Sequence, residues 1–371
     1  MVPLAGGDTD VGIGGGALGS IARPAPGDRV FRWKLEGAAF GTTKRQEGQF
    51  VSPYQDIYLM LTLKDLVKGR VRLEMRVAYT RESNLRYYGL GNNSIAPVDQ
   101  VAARDFFTRT HPTALIRARF KLRGPLALLL GTMYMRNTIE FAPESTLLRD
   151  STSGSDVVRG LLPINTDHGL HLLEAGIVYD TRDNEIAPTR GQHHRVDVRA
   201  SPFESPTLPY HYVGISASMS VFVPLYGERI VLAARLVGDV MMGGMVPFYE
   251  LSRFDETSAI GGPKYVRGVP SNRYWGKRKV ITNLELRADL WEFGMGDSRY
   301  ALGSALFFDA GRVWAGIGRH EELDGTGWGI KYGTGGGLRL RKGKTFVLRA
   351  DVAWSPDARP VGAYFLADQA F

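Results

Sequence analysis

The sequence contains no cysteine. That removes disulfides, thiolate-bound zinc and a thiol nucleophile together, and it suits a chain exported through an oxidising compartment. No stretch reaches the roughly 18 consecutive apolar residues of a helical membrane span. Helical periodicity is missing too, so the two or three soluble domains that 371 residues would permit have nothing to be built from. The opening Met1-Val2-Pro3-Leu4 has neither a basic start nor an apolar run. No signal peptide is therefore expected within the sequence, and the numbering is expected to begin near a mature or truncated terminus. Signs of catalysis are equally thin. His193 and His194 are adjacent in an extended stretch, where their rings face opposite sides and cannot share a metal. His168 and His171 lack an acid partner at ligand spacing. Gly14, Gly16 and Gly19 satisfy the dinucleotide pattern in form, but Pro24 and Pro26 forbid the helix it needs. No catalytic residue, metal or cofactor is expected.

What the sequence does hold is glycine (45), tyrosine (16), phenylalanine (17) and tryptophan (6), with strict alternation of polar and apolar residues. The alternation is clearest over 70–80, where Arg70, Arg72, Glu74 and Arg76 interleave with Val71, Leu73, Met75 and Val77. Over 114–122, Arg117, Arg119 and Lys121 alternate with Ile116, Ala118 and Phe120. Over 280–290, Asn283, Glu285, Arg287 and Asp289 fall on one side, and Leu284, Leu286, Ala288 and Leu290 on the other. A strand ionic on one face and aliphatic on the other needs two solvents, which a transmembrane barrel supplies as lumen and lipid. The formal charge of +8 is then basic groups lining a lumen and a membrane rim, and nucleic acid is not an expected partner.

Sixteen such segments can be counted, the first (2–7) short and the last running over 361–371. An even number returns the chain to its starting side, as in bacterial single-chain barrels. The expectation is an all-β, antiparallel transmembrane barrel of about 16 strands, a single domain over residues 1–371. Short turns, such as Gly124-Pro125 and Lys342-Gly343, alternate with long connections over 82–105, 142–169 and 243–279. Several short turns are basic, with Lys64, Lys68, Lys121 and Arg123 at strand ends, where such side chains snorkel toward headgroups.

The 243–279 connection carries Gly261-Gly262-Pro263-Lys264-Tyr265-Val266-Arg267-Gly268. Downstream, Phe307-Phe308-Asp309-Ala310-Gly311 places a single acid in an apolar strand, out of phase with Phe308. Earlier come Tyr87-Tyr88-Gly89-Leu90-Gly91-Asn92, then Asp180-Thr181-Arg182-Asp183-Asn184 followed by Pro188-Thr189-Arg190-Gly191. In this order the motifs resemble the BamA/TamA-type outer-membrane assembly-factor barrels, the bacterial surface-antigen family. The resemblance covers nearly the whole sequence. It implies an extracellular loop folded into the lumen, with Arg267 and Gly268 locked against Glu285 and Asp309. It implies a turn motif formed by Asp180, Arg182, Asp183, Asn184, Pro188 and Gly191. It also implies a weak lateral seam between first and last strands, at Val2, Leu4, Phe365 and the terminal Phe371. Members that insert or translocate proteins carry periplasmic POTRA repeats before the barrel. None is visible ahead of the first strand here, so whatever those repeats recruit is not expected to be recruited by this polypeptide.

Three functions stay open at this point. One is assistance to protein or lipid insertion or translocation through the seam, in the bacterial outer membrane. Another is an anion-selective pore or transporter, lined by Arg70, Arg72, Arg76, Arg117, Arg119, Arg195 and Arg199. The last is a structural barrel docking a periplasmic partner. Outer-membrane lipids, and a periplasmic or outer-membrane protein, are the expected partners.

Overall fold

A computed structural model of the chain describes residues 2–23, 31–46, 48–94, 103–142, 144–254, 257–258, 260, 262–296, 298–343, 346–357, 361–367 and 369–371. The turn after Arg23, Gly261 and Lys344 lie outside the described residues. The strands in chain order are β1 Val2–Asp8, β2 Gly12–Arg23, β3 Trp33–Gln46, β4 Gln49–Val51, β5 Tyr54–Leu66 and β6 Val71–Arg86. Next come β7 Phe106–Lys121, β8 Leu126–Phe141, β9 Asp167–Asp180, β10 Gly191–Ser201, β11 His211–Tyr226 and β12 Ile230–Met245. After the two-residue strands β13 Arg253–Phe254 and β14 Thr257–Ser258 follow β15 Arg278–Met295 and β16 Ser298–Trp314. β17 Lys331–Lys342, β18 Phe346–Trp354 and β19 Gly362–Leu366 complete the set.

Each long strand pairs antiparallel with its neighbours in sequence, and β19 returns to β1. The result is a closed 16-strand barrel. β4 is a short arm on the end of β3, and β13 and β14 pair only with each other. Closure satisfies backbone N–H and C=O groups between strands, a condition for crossing a bilayer without helices. No described helix is long and apolar enough to cross one.

The two faces separate as the alternation demands. Leu284, Leu286 and Leu290 point outward, 44, 40 and 67 % exposed, while Asn283 and Glu285 between and beside them are fully buried. Phe308 stands on the outer wall and Asp309 is buried inside. Gly14 and Gly16 lie in β2, where an added Cβ would meet the Phe40 ring at 2.4 Å and the Ala39 carbonyl oxygen at 2.1 Å. Glycine there permits close approach of β2 to β3, and the residues of the pattern lie within one strand.

Some boundaries differ from the sequence expectation. β7 opens at Phe106, ahead of the expected 114, and runs through Pro112. Pro112 has no N–H to donate, and the register to β8 lapses between Thr110 and Thr113. β19 ends at Leu366, so the expected strand over 361–371 is far shorter. The long loop after β8 holds helices α1 Thr146–Ser153 and α2 Asp156–Leu161, capped by Ser145 and Ser155. Leu147, Leu161 and Leu162 join a buried cluster with Tyr87, Phe107, Phe248 and Trp275. This cluster fills the barrel at the end where the long loops emerge.

Candidate functional site

The connection between β12 and β15 enters the lumen as a tongue. Its neck is held by ions. Lys279 donates to the carbonyls of Glu250 and Leu251 at 3.2 and 3.3 Å and lies 3.4 Å from Asp239, which also pairs with Arg199 at 2.9 Å. Its tip folds on itself: Gly262 N–H donates to the Val269 carbonyl at 2.8 Å, and Val269 N–H to that of Val266 at 3.2 Å. Gly262 and Gly268 both have positive φ, +84° and +91°, conformations open to glycine.

Arg267, at the apex, is completely buried. Its Nε and Nη2 donate to the two oxygens of Asp309 at 2.7 and 2.9 Å, and its backbone N–H to Asp309 Oδ2 at 3.1 Å. Nη1 reaches Glu285 Oε1 at 2.6 Å and Asp351 Oδ2 at 3.3 Å. The guanidinium lies 3.4 Å over the Phe307 ring. A planar fork answering one carboxylate bidentately, with a donor left for others, is the geometry for which arginine is suited and lysine is not.

The acids are themselves shared. Glu285 accepts from Arg287 Nε at 2.6 Å and Arg339 Nη2 at 3.3 Å. Asp351 accepts from Arg339 and, at 3.0 Å, from Arg349, which also donates to the Pro263 carbonyl at 3.0 Å. Asn283 Nδ2 donates to Asp309 at 2.8 Å and to the Tyr265 carbonyl. Thus β15, β16 and β18 are tied to one tongue residue, and β17 joins them through Arg339. Sequence reasoning missed Asp351, Asn283, Arg339 and Arg349. Asp351 carries the same signal as Asp309, one acid on the inward phase of a strand.

Beyond Arg267 the tongue crosses to the barrel's closing strands. Gly268 N–H donates to the Tyr364 hydroxyl on β19 at 2.9 Å. Ser271 N–H donates to Asp10 Oδ2, in the β1–β2 turn, at 2.7 Å. Arg273 lies against Tyr88 and Tyr274 and donates to Ser94. The Tyr87–Asn92 motif packs beneath the tongue: Gly91 N–H donates to the Trp275 carbonyl at 2.8 Å, and the Tyr87 and Trp275 rings meet edge to face at 5.1 Å.

The seam itself is short. Among the described residues β1 meets β19 in register only at Gly7–Phe365 and Asp8–Tyr364, with Thr9 N–H donating to the Ala363 carbonyl at 3.2 Å. Val2 and Leu4 are registered with Leu18 and Gly16 of β2, not with β19. Phe371, expected in the seam, is elsewhere. After β19 the chain turns into the lumen, and the Phe371 ring sits 6.4 Å from that of Phe222, stacked by Arg235 and Arg287 at 4.8 and 5.1 Å. Burial of an aromatic end against two guanidiniums outweighs extension of a strand whose partner edge has already ended. Behind the seam lies a cavity of about 1370 Å³, lined by Leu4, Asp8, Phe40, Pro270, Tyr364 and Leu366 among others.

At the opposite rim, Arg182 grips Asp180 with Nε and Nη2 at 3.0 and 2.9 Å. Asp183 accepts from the backbone and hydroxyl of Thr189 and from Arg190 N–H, and Asn184 from Ile186 and Ala187 N–H. Pro188 lies inside this turn, and Gly191, at φ +102°, closes it where a Cβ would lie 2.3 Å from the Thr181 carbonyl oxygen. The arginines expected to line a pore are largely engaged: Arg76 with Asp56, Arg117 and Arg195 with Glu174, Arg119 with Asp180 and Arg199 with Asp239. His168 bridges the Asn165 carbonyl and the Tyr249 hydroxyl, both at 2.9 Å. No group of potential metal ligands assembles among the described residues.

Similar architecture occurs in BamA from Haemophilus ducreyi lacking POTRA domains 1–3, at a TM-score of 0.63 and 16 % identity, over 98 % of this chain and 69 % of that one. CdiB from Escherichia coli matches at 0.60 and 12 %, over 98 % and 62 %. CdiB from Acinetobacter baumannii matches at 0.53 and 13 %, over 97 % and 57 %. No curated protein sequence matches. The Omp85 superfamily domain matches residues 47–365, a span holding the tongue, its acids and the Asp180 turn. Over most of its length, then, the chain belongs to the Omp85 superfamily.

Proposed function

We propose that this protein is an integral barrel of the bacterial outer membrane that assists insertion or translocation of a protein or lipid through the seam between β1 and β19, with the inward tongue as its latch. The long loops then face outward, and the short turns, the start of β1 and the end of β19 face the periplasm. The observation carrying this reading is that neighbouring tongue residues hold both banks of the seam. Gly268 is bonded to Tyr364 on one side and Ser271 to Asp10 on the other, while Arg267 anchors them to β15, β16 and β18. Releasing the tongue would free a closure that consists of little more than Gly7–Phe365 and Asp8–Tyr364. The cavity behind it, partly apolar, is large enough to receive a segment of client. No chemistry is required of the barrel itself.

The pore reading loses its footing, because most of its arginines are paired with acids and aromatics fill the lumen at the long-loop end. The test is Thr9→Cys with Ala363→Cys, neighbours across the seam in a chain without native thiols. Vesicles carrying the pair are given an unfolded outer-membrane client, and its folded yield is read before and after oxidation. Loss of assistance on oxidation, restored by reductant, is expected. Equal yield in both states would exclude a gating seam.

A further inference from the structure

The outer wall bears a groove that neither tongue nor seam uses. It crosses β12, β15 and β16 at the long-loop end, with a volume of about 620 Å³. Leu236, Val280 and Ala310 form its floor, and Ile330 and Trp328, in the loop before β17, its far side. Leu236 and Val280 point to the exterior, and Trp328 is 83 % exposed. The groove exists because the wall is thin here. Gly238 stands opposite Val280, and Ala310 and Gly311 offer no bulk on β16.

Three arginines gather at its upper edge. Arg312 and Arg319 line it, and Arg278 stands opposite Trp314, its guanidinium 4.8 Å over the indole that Arg312 also covers at 5.1 Å. Backbone carbonyls hold two of them in place: Arg312 donates to Gly327 at 2.8 Å, and Arg319 to Gly325 at 2.7 and 3.2 Å. Carbonyls orient a guanidinium without cancelling its charge. Among the described residues none of the three has a carboxylate partner, and Nε of both Arg278 and Arg312 is buried with no acceptor. Asp324, in the same loop, gives its two oxygens to the N–H groups of Ala315 and His320.

Height decides what such a groove meets. Phe308, Tyr332 and Trp354 form an aromatic row on the outer wall, with centroid separations of 6.0 and 6.4 Å. Aromatic girdles mark the membrane–water interface. Arg312 shares a face of β16 with Phe308 and lies four residues beyond it, about 13 Å along the strand. Ala310 lies between Phe308 and Arg312 on β16, Val280 stands level with Arg312 across the sheet, and the cations stand where headgroup phosphates run.

We propose that this groove binds a phosphorylated membrane lipid, an acyl chain on the Leu236–Val280–Ile330 floor and the phosphate on Arg278, Arg312 and Arg319. Three guanidiniums favour a head with two phosphates over a head with one. The test uses the full chain, delipidated in a non-ionic detergent, with retention read by native mass spectrometry. The probes are a bisphosphorylated acylated glucosamine disaccharide, phosphatidylglycerol, uncharged diacylglycerol and inorganic phosphate. The expected order is bisphosphorylated lipid, then phosphatidylglycerol, with diacylglycerol at background and inorganic phosphate unable to displace the lipid. Arg278→Gln with Arg319→Gln should weaken retention at least tenfold, and Trp328→Ala should weaken it without changing the preference among heads. Arg312 is left intact because its carbonyl bonds shape the loop, and the heat-dependent gel shift of a folded barrel checks each variant. Wild-type retention in the double variant, diacylglycerol held as tightly as the phosphorylated lipids, or full displacement by inorganic phosphate would each overturn the proposal.

Discussion

Arg267 concentrates more of the fold than any other side chain described here. Removing it leaves Glu285 and Asp309 as buried carboxylates short of a cation, so Arg267→Ala should cost about 3–5 kcal/mol. Arg267→Lys should recover only part of this, because one ammonium cannot bridge Asp309 bidentately and reach Glu285 as well. Melting in detergent, read by the loss of β-sheet circular dichroism, ranks the three proteins; equal midpoints would remove the lock. Asp10 behaves in the opposite sense. Burial raises its carboxyl above the ordinary value, against opposing hydrogen bonds from Ser271 and the charge of Lys44. A raised folded-state pKa gives a contribution that is complete below the unfolded value, about 3.9, and is lost as pH rises through the folded value. Asp10→Asn keeps an oxygen for Ser271, so it should flatten that pH dependence and match or exceed wild-type stability at pH 8. Melting from pH 4 to 8 checks it; parallel curves would refute the assignment. At this scale Glu285 and Asp309 are legible as acids on an inward phase. Asp351 carries the same inward-phase signal, but its link to Arg267 spans 84 residues of sequence and appears only when β18 is placed beside β17.

At the scale of elements, the tongue depends on a backbone that passes where a side chain cannot. A Cβ on Gly268 would lie 2.8 Å from the Trp354 carbonyl carbon, in a conformation of φ +91°. Gly268→Ala should therefore displace the tongue from β18 and β19, at a cost of about 1–3 kcal/mol. Limited proteolysis reads this as new cleavage between residues 262 and 276; a wild-type digestion pattern would contradict it. Strand identity follows from two-residue alternation, and so β6, β15 and β16 are legible, although β6 runs on to Arg86 and β15 to Met295, past the expected 80 and 290. Elements that depend on partners are not. α1 and α2 are short and have no strong pattern of their own, gaining stability by burying Leu147 and Leu161 in the cluster around Trp275. β7 continues through Pro112 because the missing donor falls where the ladder to β8 already lapses. β19 stops early because β1 meets it over only a short stretch and the chain beyond it finds a better site inside.

For the whole molecule, closure is uneven: seventeen residues of β16 lie between long neighbours, whereas five residues of β19 complete the ring. A 16-strand cylinder is wide enough for a water-filled channel, yet the tongue and the Trp275 cluster occupy this one. Deleting residues 262–276 should convert small, flickering planar-bilayer currents into a steady conductance, and an unchanged trace would show that the tongue is not the plug. Sequence alone determines a cylinder with an oily exterior and an ionic interior, because alternation has a period of two whatever the strands' neighbours. It also places Glu285 and Asp309 on the inward phase of their strands, whereas Arg267, in a loop, is marked by the family resemblance. Only the tertiary structure decides that the tongue binds both edges of the seam, that Phe371 leaves it, and that three arginines converge outside. Those depend on which strands become neighbours in space, and local pattern carries no information about that.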